Sequence, residues 1–218
     1  MKPKLLLGIF IAVSIVDLCL QLADSQELMR FTRPLLMPVL LYFVYESSKG
    51  KVTIRILLLS LAILLFWIGD VLSLYEGQWY FVMKLSLYSL AHVIAGLVLF
   101  KTTYYAPKFE LIKTLPFIVY ALLFLAFLLS SISTLKALVI VYSLAITGMA
   151  GVASLRKGVT SQISYQLGVY SSLLFIASDS ILMTNAFYQS VPLSDLWVTG
   201  MHVGGQLLLV KSILNHKD

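Results

Sequence analysis

Asp70 and Asp179 stand inside strongly apolar runs, LLFWIGDVLSL and SLLFIASDSILM, and lie 109 residues apart in a chain of 218. An acid in hydrocarbon surroundings costs a few kcal/mol by insertion scales, so each marks a functional site by default and requires a partner. Two such acids at one substrate support proton transfer. In a low-dielectric cavity one carboxyl keeps its proton near neutral pH while its neighbour stays ionised, which divides the pair into general acid and base. That division suits cleavage of an acetal-like or enol-ether C–O bond through an oxocarbenium ion, as in glycosidases.

Further polar residues fall near the same depth: Asp17, Arg33, His202 and Gln206, with His92 deeper. Each also has a plainer reading. Asp17, one turn from Gln21, fits an interfacial position; Arg33 at a helix start can snorkel; His92 and His202 can hydrogen-bond serines of neighbouring helices. No GxSxG, HExxH, zinc-ligand spacing or phosphate-cradling loop occurs, and the dispersed histidines define no metal site. No metal and no organic cofactor is expected.

Composition decides what must position these residues. The chain is 60% hydrophobic and 12% charged, with a mean hydropathy of +0.93, far from the roughly 25% charged of a soluble domain. An all-α polytopic membrane protein is expected, its partners being membrane lipids. The net charge of +6 is scattered at the ends of apolar runs, so it reads as a topology signal rather than a nucleic-acid surface. Cys19 is the single cysteine; no intramolecular disulfide is possible, and its apolar setting predicts a core position. The start, MKPK before LLLGIFIAV, imitates a signal peptide, but Asp17 interrupts the apolar core and further spans follow, so a first transmembrane helix is expected.

Apolar runs of spanning length predict eight helices in a single transmembrane domain, near 5–22, 31–46, 54–74, 81–100, 111–131, 134–154, 162–183 and 196–214. The second, RPLLMPVLLYFVY, carries two prolines and a short apolar stretch that also fits a re-entrant segment. Charge arbitrates. With eight spans, twelve of the sixteen Lys and Arg, Lys51, Arg55, Lys108, Arg156 and Lys217 among them, share the side of the termini; only Arg30, Arg33, Lys84 and Lys136 fall opposite. The positive-inside rule then places both termini in the cytoplasm, as in a bacterial inner membrane or its equivalent. Tyr75, Trp79, Tyr80, Tyr104, Tyr105 and Trp197 stand where an aromatic belt would.

The chain also aligns with itself. Phe66, Gly69 and Asp70 match Phe175, Ser178 and Asp179 at a shift of 109, and His92 and Val93 match His202 and Val203 at 110. A parallel duplication of one four-helix unit puts both acids at one depth, each roughly four residues or about 6 Å before the outer end of its helix. Small-residue faces at Gly148 with Gly151, and at Gly200, Gly204 and Gly205, predict close helix contacts.

Taken together, RPLLMP (Arg33 to Pro38), FWIGDVLSL (Phe66 to Leu74), SLAHVIAGLVLF (Ser89 to Phe100), YSLAITGMA (Tyr142 to Ala150), GVYSSLLFIASDSIL (Gly168 to Leu182) and GMHVGGQLLL (Gly200 to Leu209) resemble the YhhN-type integral membrane proteins, whose characterised animal members are lysoplasmalogenases. Arg33 stands where the family commonly has Lys, and His202 and Gly205 where Tyr and Ala are frequent. The resemblance implies hydrolysis of the vinyl ether bond of 1-alkenyl lysophospholipids to a fatty aldehyde and a glycerophospho-alcohol. Asp70 and Asp179 would then be the catalytic acid and base, Arg33 would hold the lipid phosphate, and His92, His202, Gln206 and Asp17 would bind or orient. The alternative is a small lipid or solute transporter built on the parallel repeat and its paired acids.

Overall fold

The computed structural model describes residues 2–132 and 134–216. These form eight helices and no strand: α1 (Pro3–Leu22), α2 (Gln26–Ser47), α3 (Ile54–Leu72), α4 (Gln78–Lys101), α5 (Leu111–Leu129), α6 (Lys136–Leu155), α7 (Gln162–Phe187) and α8 (Ser194–Leu214). Every expected helix is present within a few residues of its expected bounds. Lys217, counted among the basic residues of one side, lies outside the described residues.

Six helices, all but α2 and α8, are long and apolar enough to cross a membrane, and the chain is a multi-pass membrane protein. The two exceptions carry Arg33 and the His202–Gln206 pair; helices that turn polar side chains into a bundle need not be apolar all round. Along the chain α1 packs on α2, α2 on α3 and α3 on α4, then α5 on α6, α6 on α7 and α7 on α8; α4 joins α6, and α8 reaches α1, α2, α3 and α4.

The prolines of α2 do not break it. Pro38 has no amide hydrogen for the Pro34 carbonyl, and an unsatisfied carbonyl is expensive away from water. The indole of Trp67 in α3 donates to that carbonyl at 2.9 Å, so the proline becomes a docking point between the helices. Trp67→Phe is therefore expected to destabilise by about 1–3 kcal/mol, the cost of an orphaned buried acceptor. In a Pro38→Ala background, where residue 38 regains its N–H, the same change should cost much less; equal losses of thermal stability in detergent would refute this.

The opposite end is fastened by Arg156, which is fully buried. Its guanidinium donates to the Thr102 carbonyl at 3.1 Å, to Ser164 Oγ at 2.6 Å and to Ser212 Oγ at 3.0 Å, tying the ends of α4, α7 and α8. Burial draws its pKa down to about 10, so it remains charged at neutral pH.

One expectation fails here. Cys19 is exposed rather than in the core, because α1 buries only Leu6, Phe10 and Asp17 and presents the rest of its surface outward. Trp79 and Trp197 are exposed near helix starts, and Tyr105 is exposed in the loop between α4 and α5.

Candidate active site

Four helices bring the expected residues together. Asp70 near the end of α3 accepts a hydrogen bond from the Tyr88 hydroxyl on α4. Gln206 Nε2 on α8 donates to its other oxygen at 3.3 Å, and His202 Nε2 lies 3.6 Å from Oδ1. Asp179 on α7 is paired instead with His92 on α4, Nε2 to Oδ2 at 3.3 Å. Each acid thus meets the histidine from the other half of the chain.

Between the two pairs lies an aromatic layer. Phe66 and Phe175 stack with centroids 5.1 Å apart, and His92 and His202 each stand edge-on to both rings at 5.0 to 5.2 Å. The serines flanking Asp179 fix α7: Ser178 donates to the Val198 carbonyl at 3.0 Å, and Ser180 bonds Tyr120 of α5. Gly205 brings α8 onto Phe175, its ring 3.3 Å from where a Cβ would stand.

The two carboxylates do not share a cavity. A vestibule of about 450 Å³ opens at the end carrying the α1–α2, α3–α4 and α7–α8 turns, lined by Arg33, Ser73, Lys84 and Thr199 with Asp24, Glu76 and Asp195. It continues through Arg33, Ser73, Lys84 and Thr199 into a narrow pocket of about 30 Å³ holding Asp70, Tyr88 and His202. Asp179 lines a different recess of about 20 Å³, with Tyr120, Tyr142 and Phe124.

Nor do the acids stand alike on their own helices. Asp70 is two residues, about 3 Å, from the end of α3, whereas Asp179 is eight residues, about 12 Å, from the end of α7. The common position before the helix ends expected from the repeat is corrected by α7 running on to Phe187. Side-chain exposure follows, 13% for Asp70 and 5% for Asp179. Around Asp179 the Tyr142 hydroxyl of α6 also meets the carboxylate, while His92 Nδ1 has no hydrogen-bond partner among the described residues.

Arg33 neither snorkels nor stands free. Its Nη2 and Nε meet Asp17 Oδ2 at 3.1 and 3.3 Å, Thr32 donates to Asp17 Oδ1 at 2.6 Å, and Arg33 Nη1 reaches Ser73 Oγ at 3.4 Å. Asp17 is fully buried, which rules out the interfacial reading.

The sequence matches the YhhN family over residues 28–213. The chain belongs to the YhhN family. Among curated proteins and solved structures, nothing matches it. The family match takes in α2 from Leu28 and reaches into α8, so every helix of the Asp70 pocket is within it; Asp17, on α1, lies before it.

Sequence reasoning missed two residues of this YhhN site, Lys84 and Tyr88. Lys84 is buried and lines both vestibule and pocket. Its ammonium makes no ion pair among the described residues and sits 5.5 Å from the Tyr88 ring centroid. The signal was there: Lys84, Tyr88 and His92 recur every four residues, one stripe of α4.

Proposed function

We propose that this YhhN protein is a membrane-embedded hydrolase of lysoplasmalogen-type lysophospholipids, with the vinyl ether held at Asp70. The observation that carries the reading is a single accessible carboxyl at the inner end of a polar vestibule, with donors on both of its oxygens. Asp70 in its acid form delivers a proton to the alkenyl carbon. It is left as a carboxylate that the Tyr88 hydroxyl and Gln206 amide stabilise, facing the oxocarbenium ion. Water adds to that ion and returns a proton to Asp70. The hemiacetal then collapses to aldehyde and a glycerophospho-alcohol. One carboxyl thereby serves as acid and then as base, and the second acid is not required on the same face of the substrate.

The substrate phosphate fits between Arg33 and Lys84 in the vestibule, a charge-assisted site, and Asp24, Glu76 and Asp195, which line the same vestibule, suit the ammonium of an ethanolamine or choline head group. His202 orients Asp70. Asp179 and His92 support the layer of Phe66 and Phe175 from behind. That Asp179 pairs with His92 as Asp70 does with His202 favours a duplicated four-helix unit, and the count of basic residues favours cytoplasmic termini.

The test is incubation of purified protein in detergent micelles with 1-alkenyl lysophosphatidylethanolamine and lysophosphatidylcholine, reading released aldehyde by mass spectrometry. Aldehyde is expected without vesicles. No aldehyde in detergent, together with lipid movement in sealed vesicles, would overturn the hydrolase in favour of a transporter, because transport needs two compartments.

A further inference from the structure

A second cavity borders the Asp70 pocket, and its lining is of the opposite character. It occupies about 170 Å³ between α1, α2 and α8 and is lined by Phe10, Ile11, Ile15, Leu36, Val203 and Leu207 among others. Leu36, Thr199 and Val203 also line the Asp70 pocket, so the two spaces meet at one wall.

Three observations define what the groove accepts. Its length runs with the helices, from Leu18 to Phe10 on α1 and from Thr199 to Leu207 on α8, about 12 Å at the helical rise. Its side is open to the lipid, since Ile11 and Ile15 are 42% and 56% exposed. Two of its polar side chains are already engaged: Ser14 Oγ donates to the Phe10 carbonyl at 2.7 Å, and the Asp17 carboxylate is held by Thr32 and Arg33; the third, Thr199, stands at the wall shared with the Asp70 pocket. What remains is an apolar groove that shares one wall with the Asp70 pocket. At Gly200 an added Cβ would meet only Leu18, at 3.8 Å, so the groove has room there for a larger side chain.

We propose that the groove between α1 and α8 holds the hydrocarbon chain of the lysolipid and admits it sideways from the bilayer. The order of the three spaces matches the order of groups in such a lipid: head group in the vestibule, vinyl ether at Asp70, chain in the groove. This rests on the hydrolase reading for the nature of the lipid. The groove itself requires only a single-chain amphiphile whose polar end lies in the vestibule.

The test compares wild type, Gly200→Ala and Gly200→Leu on hexadecenyl and butenyl lysophospholipids in mixed micelles. Gly200→Leu fills the groove, so KM for the hexadecenyl lipid is expected to rise by about tenfold, as for the loss of about two buried methylenes. The butenyl lipid should be unaffected, and Gly200→Ala should behave as wild type. A parallel loss on both lipids, or no change on either, would overturn the proposal. A second measurement works without hydrolysis and without a variant. Wild-type protein is photolabelled with a non-hydrolysable 1-alkyl lysophospholipid bearing a diazirine at the chain end, and the labelled peptides are mapped. Label in α1 or α8 within the groove supports the proposal even if no aldehyde forms, in which case only the hydrolase reading fails. Label confined to other helices overturns it.

Discussion

Asp70→Asn is expected to lower kcat for 1-alkenyl lysophospholipid hydrolysis by about 10³-fold, within the range of a positioned acid–base group, while the protein elutes and melts as wild type. Asn keeps the shape of the side chain and one acceptor for Tyr88 or Gln206, so the pocket persists without a transferable proton. Asp179→Asn should cost only about tenfold, the size seen when a group that orients a reacting residue from behind is removed. The difference comes from position. Asp70 lines the pocket that continues into the vestibule, whereas Asp179 reaches it only through His92 and the stacked Phe66 and Phe175. Separate kcat and KM values for the two variants decide the point. Equal losses would mean that both carboxyls act on the substrate, the division of labour that the sequence alone leads one to expect.

Much of this site was legible because bilayer physics leaves few solutions. Apolar runs bounded by charge mark eight helices, and the second run, despite its two prolines, lies in one continuous helix, Gln26–Ser47. Asp70, His202 and Gln206 do meet, and so do Asp179 and His92, since polar side chains in such helices turn inward toward one another. Three things were not legible. The cross-pairing of acid and histidine depends on which helices touch, and no periodicity encodes that α3 and α8 meet. The unequal distance of the two acids from their helix ends follows from α7 continuing beyond its apolar stretch through Thr184–Phe187. The burial of Asp17 depends on Arg33 arriving from the next helix, a partner whose distance along the chain hides it. Lys84 and Tyr88 are hidden for a different reason: a lysine near a helix start reads as a topology determinant, and only its four-residue spacing from Tyr88 and His92 ties it to the site.

Gly69→Ala should separate the two roles of the Gly69–Asp70 pair. A Cβ on Gly69 would stand 2.3 Å from Tyr88 Cε1 and 2.6 Å from Cδ1, far inside contact distance, so the ring must leave its place against α3. With it goes the hydroxyl that donates to Asp70, and the ring that stacks on His202 at 4.6 Å shifts as well. Overpacking of this kind costs about 1–3 kcal/mol, and loss of a donor that stabilises developing charge lowers kcat by about 10²–10³-fold. The glycine is thus required by the approach of an aromatic ring, not by backbone freedom, since Gly69 lies within α3. The double variant Gly69→Ala/Tyr88→Leu tells stability from chemistry. A leucine can avoid the new methyl group, so thermal stability in detergent should largely return, but nothing then donates to Asp70 from α4 and turnover should stay low. Recovery of both together would show that Tyr88 only packs; recovery of neither would show that Gly69 is needed for a contact other than Tyr88.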